Sequence, residues 1–252
     1  TIIPVRGVRR TIAMRLREAA EAGTPAALIT PDRDLTRQVT AALDRWRILP
    51  DDSAGTPLHR TAQGRFLRHV AALMTERLST ELLLTLLKHP LTHAGADRGA
   101  HLRLARELEL HLRRKGLPFP DHDAITTWCA AKPEERQSWC DWLGDTFLAG
   151  DLPGSHPLPA LAAHHRTLAR RIAWGSTPGE DWPPSWSDPL LTPAGPQSLA
   201  VLDELALHGP HGGPASAVDF GNLLQNLLSS GEVRSAERAD PLIRIWGTIE
   251  AR

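Results

Sequence analysis

Histidine pairs are the first side chains of this sequence that could do chemistry, because imidazole nitrogens are common metal ligands. His164 and His165 are adjacent, and His208 lies three residues before His211. Adjacent residues of a helix point about 100° apart, so the first pair does not converge on one ion. The second pair lacks an obvious third ligand at short range. We therefore interpret these four residues as surface or structural histidines.

Motifs for nucleotide or acyl chemistry are missing from the sequence. It contains no Gly-x-x-x-x-Gly-Lys-Ser/Thr loop, no Gly-x-Gly-x-x-Gly after a strand and no Gly-x-Ser-x-Gly elbow. The glycine-rich stretch 209–214 includes prolines, which have no N–H to offer a phosphate, so we interpret it as a loop. Glu232, Glu237 and Asp240 form no paired-carboxylate arrangement. The sequence therefore predicts no catalytic residue and no metal site.

The two cysteines, Cys129 and Cys140, are too few for a disulfide framework and lack metal-type spacing. We expect both to be buried packing residues in a reducing cytoplasm. No apolar stretch approaches the roughly 20 residues of a membrane-spanning helix, and no signal-peptide pattern is present. The sequence therefore predicts a cytoplasmic protein with no membrane partner.

Charge is balanced, with 29 basic and 29 acidic residues, whereas a stand-alone nucleic-acid binder usually has a basic excess. A local basic groove remains compatible with this balance. Several arginines on predicted helices are open to two interpretations, a solvated helix face or a contact with DNA phosphates. These residues are Arg103, Arg106, Arg113, Arg114, Arg170 and Arg171.

The elements that must position these residues begin with an α/β pattern. Apolar spacing predicts a helix over 8–22, and the run 26–30 between two prolines is typical of a buried parallel strand. A second helix is predicted from Asp34, as its N-cap, to Trp46, followed by a short strand at 48–50 and a loop over 51–57.

From about residue 61 the pattern changes to helices separated by proline and glycine, and the last apolar run, Leu242–Trp246, reads as a strand. Between the later helices, 175–196 is expected to be an irregular crossover that Trp182 and Trp186 pin onto helices. Helices are predicted near 98–115, 158–174, 197–208 and 216–228, with Pro133 opening another.

This order predicts a mostly α protein with a small α/β part. A helical insertion, 61–240, would interrupt an α/β domain made of 1–60 and 241–252. The chain starts without methionine and ends just after an apolar run, so we expect an internal segment of a longer protein.

Three blocks of sequence resemble the AddB subunit of the alphaproteobacterial type, the partner of the AddA helicase in a helicase–nuclease that processes double-strand DNA breaks. The first is Leu-Ile-Thr-Pro-Asp-Arg-Asp-Leu-Thr-Arg-Gln-Val (28–39), continued by Leu-Asp-Arg-Trp-Arg-Ile (43–48) and Asp-Asp-Ser-Ala-Gly-Thr-Pro-Leu (51–58). The second is Phe66-Leu67 with Leu-Leu-Lys-His-Pro-Leu (86–91). The third is the closing stretch 240–252.

The resemblance implies an incomplete RecA-like unit, equivalent to the second domain of a UvrD-type helicase, that carries an all-helical inserted accessory domain. Asp32 and Arg33 stand where active helicases place an arginine for nucleotide phosphate. The element that couples nucleotide to single-stranded DNA falls on Gly247, Thr248 and Glu250, with Arg252 beside it. Both groups also have a simpler interpretation. Asp32 and Arg33 can be a turn and the start of a helix, and Gly247 and Thr248 can be a turn that ends a strand.

The leading hypothesis is a non-catalytic helicase-like segment that guides or scans single-stranded DNA and docks an AddA-like subunit. The resemblance implies ATP, magnesium and an iron–sulfur cluster for the parent complex and none of them for this segment. A purely structural interaction module without DNA contact is the alternative. A hydrolase assembled from distant histidines and aspartates is the third reading.

Overall fold

The two ends of the chain fold together in the computed structural model, which describes residues 5–75, 77–94, 97–177, 179–188, 192–233 and 239–248. One compact unit consists of Thr1–Thr56 and Arg234–Arg252, and the other is Pro57–Val233. We call them the α/β unit and the helical unit. The sequence-based boundaries, 1–60 with 241–252 and 61–240, lie within a few residues of this division.

The described residues are mostly helical, and none of their helices is long and apolar enough to cross a membrane. Two short 3-10 turns, Leu58–Arg60 and Gly209–His211, and a π-helical turn, Gly144–Leu148, accompany the α-helices. The α-helices are α1 (Val5–Glu21), α2 (Arg33–Asp44), α3 (Ala62–Thr75), α4 (Thr80–Lys88), α5 (Arg98–Lys115), α6 (His122–Ala130), α7 (Pro133–Leu143), α8 (Leu158–Trp174), α9 (Pro184–Ser187), α10 (Ala194–His208) and α11 (Ala217–Ser230).

Strands are short and few by comparison, which agrees with the predicted mostly α class with a small α/β part. They are β1 (Ala26–Ile29), β2 (Pro50–Asp52), β3 (Thr56–Pro57), β4 (Ser155–Pro157), β5 (Pro214–Ser216), β6 (Glu232–Val233) and β7 (Asp240–Trp246). Two of the three sheets are two-stranded ribbons, β3 with β6 and β4 with β5.

The sheet of the α/β unit has the order β1-β7-β2, and β7 runs parallel to both neighbours. Ala26 lies opposite Ile243 and Ile29 opposite Trp246. The prediction that the final apolar run forms a strand in the same sheet as 26–30 is therefore confirmed. The chain between β2 and β7 contains the whole helical unit.

Alternation along β7 gives the sheet one covered face. Ile243 and Ile245 are fully or almost fully buried, whereas Arg244 between them is exposed. The apolar residues of α1 and α2 form a core with Ile243 that includes Leu16 and Val39. Burial of this face is what holds the strand from the far end of the chain between β1 and β2.

The crossover of 175–196 is anchored in the core of the helical unit by a tryptophan, as predicted. Trp186 is fully buried, and its ring centroid lies 5.2 Å from that of Phe66 and 4.8 Å from that of Trp182. The short helix α9 carries Trp186 into this position. Burial of this indole therefore holds the described residues around Trp186 against the helical core.

Buried histidines are hydrogen-bonded parts of the helical core. His101 donates from Nε2 to the Leu87 carbonyl at 2.7 Å and accepts from the Trp139 indole at 3.0 Å. His165 donates from Nε2 to the Leu67 carbonyl at 2.8 Å. The structural interpretation of His165 is therefore confirmed.

Cys129 and Cys140 form a disulfide, so the prediction that they are unpaired packing residues is wrong on this point, although both are buried. The bond joins α6 to α7, which form a helical hairpin, and the two Cα atoms are 6.2 Å apart. That separation is within the range that a disulfide spans. The spacing in sequence does not reveal it, because it depends on the turn between the two helices.

A buried guanidinium completes the same hairpin. Arg136 donates to the Trp128 carbonyl at 2.7 Å and to the Glu107 carboxylate at 2.9 Å. Its central carbon lies 3.9 Å from the centroid of the Trp128 ring, a cation–π arrangement. Arg136 therefore links α5, α6 and α7.

Substitution of Ile243 by alanine should cost about 3 kcal/mol in the free energy of unfolding, because the cavity would lie in the core beneath the central strand. The matched control is Arg244→Ala on the exposed face of the same strand, which should change the free energy by about 0.5 kcal/mol or less. Urea denaturation followed by circular dichroism measures both. Equal losses for the two variants would contradict the assigned face.

Acidification should destabilise the helical unit. Burial lowers the pKa of His89, His101 and His165 to about 4, so each folds in its neutral form. An unfolded histidine has a pKa near 6.5, so the unfolded state binds more protons between about pH 6.5 and 4, and stability falls as the pH is lowered through this window. By pH 5 the loss should be about 2 kcal/mol per histidine.

Urea denaturation at a series of pH values between 7.5 and 4.5 tests this expectation. His101→Gln supplies the comparison, because a variant without that titrating group should show a shallower fall. Hydrogen bonds from Lys88 and Arg113 lower the pKa of Glu109 from its ordinary value of 4.5. Carboxylates of this kind therefore add to the acid-induced loss of stability only at a pH below about 4.5. A free energy of unfolding that stays flat between pH 6.5 and 4.5 would refute the histidine account.

Candidate functional site

The carboxyl ends of β1, β7 and β2 meet at one edge of the parallel sheet, which is where open α/β sheets place ligands. A cavity of about 400 Å³ lies at this edge. We call it the edge pocket. Its walls include Thr30 after β1, Arg33 at the start of α2, Asp52 at the end of β2, and Gly247 and Thr248 after β7. Three of the residues predicted from sequence are therefore brought together here.

Asp32 holds the start of α2. Its Oδ1 accepts hydrogen bonds from the backbone N–H groups of Asp34 at 2.9 Å and Leu35 at 3.1 Å. The predicted N-cap, Asp34, is therefore wrong, and the cap is two residues earlier. The reason is that the chain leaves β1 through Thr30, whose hydroxyl accepts from the Asp32 N–H at 3.1 Å and so starts the turn early.

Arg33 is the first residue of α2, and about half of its side chain is exposed. Its guanidinium lies 4.0 Å from the Asp52 carboxylate, a long separation for an ion pair. The same Asp52 oxygen accepts from the Ala54 N–H at 3.1 Å. An exposed ion pair of this kind contributes little to stability, so a phosphate can compete with Asp52 for the guanidinium.

Gly247 and Thr248 follow β7 and close the other side of the edge pocket, with Gly247 half-buried and Thr248 exposed. The Thr30 N–H donates to the Trp246 carbonyl at 3.0 Å, which ties this side to β1. The remaining predicted residues, Glu250 and Arg252, lie outside the described residues.

Sequence reasoning missed Asp52 and Ser53 as parts of this site. It placed a short strand at 48–50 and a loop over 51–57, whereas β2 is Pro50–Asp52. The Ser53 hydroxyl donates to the Ile245 carbonyl at 3.2 Å, which fixes the end of β2 to the central strand. A strand of three residues is too short to show an alternating apolar pattern, and two of the three residues of β2 are aspartates.

The chemistry available at the edge pocket is ion pairing and hydrogen bonding. Arg33 and the Thr30 and Thr248 hydroxyls can serve as donors to an anionic backbone. In the part of the chain that the structure describes, no group of three or more histidine, cysteine, aspartate or glutamate side chains is arranged to hold a metal ion. The arrangement suits binding of a phosphate chain along the sheet edge.

Comparison with known proteins adds no relative: no family model, curated protein or solved structure matches this chain.

Replacing Asp32 by alanine should lower the free energy of unfolding by about 1 kcal/mol, because α2 loses the acceptor for two otherwise unpaired N–H groups. Asp34→Ala is the control, since its exposed carboxylate forms only an i,i+3 pair with Arg37. That pair is worth a few tenths of a kcal/mol. Thermal and urea denaturation measure the difference, and a larger loss for Asp34→Ala would show that the cap is misassigned.

Proposed function

We propose that this chain is a non-catalytic, helicase-like segment that guides single-stranded DNA past the carboxyl edge of its α/β unit. The observation that carries the proposal is the parallel insertion of β7 between β1 and β2 after a long helical excursion. This topology brings Arg33 to the same edge as Gly247 and Thr248. An exposed guanidinium beside strand-end hydroxyls is suited to contact a phosphate backbone without reading sequence.

The distribution of charge supports the α/β unit as the DNA-facing part. This unit has 13 arginines and 10 acidic residues, a net charge of +3. The helical unit has 16 basic and 19 acidic residues, a net charge of −3. A balanced chain therefore contains one unit with a basic excess, which favours contact with nucleic acid.

The finer assignment follows from the resemblance to AddB. On this proposal the α/β unit is an incomplete RecA-like domain and the helical unit is its inserted accessory domain. The partner is an AddA-like helicase subunit, and the substrate is the strand produced during double-strand break repair. Cytoplasmic localisation is part of the same proposal, and in that compartment the Cys129–Cys140 pair would be subject to reduction.

The start of α2 does not fit the nucleotide, and the two cysteines do not fit the cluster, that the resemblance implies for the parent complex. Pro31 has no N–H, and the Asp32 carboxylate already occupies two N–H groups at the start of α2, the usual place for a phosphate. Cys129 and Cys140 are bonded to each other, so neither offers a thiolate to an iron–sulfur cluster. We therefore propose strand guidance without nucleotide hydrolysis at the edge pocket.

A structural interaction module without DNA contact is the second candidate, and exposed apolar side chains of the helical unit favour it. Leu207 on α10 is 70% exposed and Val218 on α11 is 56% exposed. Together with the net negative charge of this unit, these side chains suit a protein partner better than DNA. Measurement of single-strand binding by the folded chain separates the two candidates.

Binding of a fluorescently labelled single strand, measured by anisotropy over a range of salt concentrations, tests the proposal. Arg33→Ala should weaken binding and lower the slope of log affinity against log salt by about 0.7, because one phosphate contact is lost. Arg37→Ala is the matched control, since this arginine lies on the same helix and pairs with Asp34. It should leave affinity nearly unchanged.

Two outcomes would overturn the proposal. Undetectable binding at low salt by the folded chain would favour the structural module. Equal effects of Arg33→Ala and Arg37→Ala would show that binding reflects general charge and that the edge pocket has no part in it.

A further inference from the structure

A second cavity, of about 480 Å³, lies in the helical unit between α7, the π-helical turn that follows it, α8 and the loop after α8. We call it the indole pocket, because Trp142 and Trp174 both line it. Its volume is within the range of small-molecule sites. All of its lining residues belong to the helical unit, so it is independent of the edge pocket.

The N–H groups of both indoles are already used, so neither offers a free donor to a ligand; Trp142 is buried and Trp174 half-buried. The Trp142 indole donates to the Arg171 carbonyl at 3.0 Å, and the Trp174 indole donates to the Asp181 carbonyl. Gly179 lies directly against Trp174, where a Cβ atom would come within 2.2 Å of the ring. The glycine therefore permits close packing that fixes the indole in place.

The wall behind Trp142 is closely packed. Gly175 adopts φ 88°, and a Cβ there would lie 2.1 Å from the His93 ring. His93 packs edge-on against Trp142 at 5.4 Å between centroids and stacks on His101 at 4.5 Å. A cavity whose aromatic surface is held in this way is preformed and loses little entropy when a flat ring enters.

Charged groups of both signs line the same cavity and come from different elements. Arg171 extends from α8, and Asp145 lies on the π-helical turn. Both side chains are exposed, and neither forms a hydrogen bond or ion pair with any residue that the structure describes. π-Helical turns occur frequently at functional sites, and here the turn supplies a charged residue to the pocket.

We infer that the indole pocket binds one nucleotide unit, either a free nucleotide or a base of a single strand. The base packs against the indole surface, as flat heteroaromatic rings do on tryptophan. The Arg171 guanidinium pairs with the phosphate. The Asp145 carboxylate accepts from ring N–H and amino donors, which guanine presents side by side and uracil does not.

A neutral aromatic ligand would leave both charges unused, and a simple anion would leave the aromatic surface unused. A nucleotide uses all three features at once. Such a site would let the helical unit hold a base although its net charge is negative, because stacking and one guanidinium replace a general basic surface. The inference does not depend on the proposed function.

Titration of the full chain with guanosine monophosphate and uridine monophosphate, followed by tryptophan fluorescence and calorimetry, tests the inference. We expect saturable quenching, with tighter binding of the guanine nucleotide. Arg171→Ala should weaken binding of both by about tenfold, because a hydrogen-bonded charge pair is lost. Asp145→Asn should reduce the preference for guanine. Arg166→Ala is the control, since it lies on α8 and pairs with Asp203 away from the cavity.

A short labelled single strand forms the second arm, and it distinguishes the two sources of the nucleotide. Binding of the strand and of neither mononucleotide, with loss in Arg171→Ala, would assign the site to single-stranded nucleic acid. Absence of any effect of Arg171→Ala on all three ligands would overturn the inference. If Arg33→Ala still weakens binding of the labelled strand in that case, the edge-pocket proposal stands and the indole-pocket inference fails.

Discussion

Insertion of β7 between β1 and β2 is the constraint on which the rest of this molecule depends. The central strand of the sheet comes from the far end of the chain, so the Ser53 hydroxyl reaches a carbonyl 192 residues away. Neither β1 nor β2 can pair with β7 until the chain has closed a loop that contains the whole helical unit. The sheet is therefore built from contacts between residues far apart in sequence, and its formation has a large cost in loop-closure entropy. Burial of Ile243 in the core that it forms with residues of α1 and α2 is a favourable contribution that offsets part of this cost.

The helical unit is stabilised in a different way, by polar groups that are desolvated and then bonded. His101 and His165 donate to carbonyls of neighbouring helices, and Arg136 joins three helices through one guanidinium. These contacts specify which helices meet. Burial keeps the two histidines neutral, so protonating them would place a charge away from water. The same histidines that define the packing therefore make the unit sensitive to acid.

Part of this architecture could be read from the sequence because the relevant signals are local. Pro25 and Pro31 bracket β1, Gly116 ends α5, and Leu242–Trp246 forms an apolar, strand-like run. The shared sheet followed from the order of these elements. The Asp32 cap, the short strand β2 and the Cys129–Cys140 bond could not be read, because each depends on a turn or a neighbour that local pattern does not contain. The indole pocket was missed for the same reason: Trp142 and Trp174 are brought together by the packing of α7, its π-helical turn and α8.

The separation of charge between the two units gives these sites different chemistry. Arg33 at the edge pocket lies in a unit of net positive charge, so on the proposed function its attraction to a phosphate chain would be long-ranged and would decrease with salt. Arg171 at the indole pocket lies in a unit of net negative charge, so on the inference drawn above long-range attraction would be weak, and affinity would come from stacking and a single charge pair at contact distance.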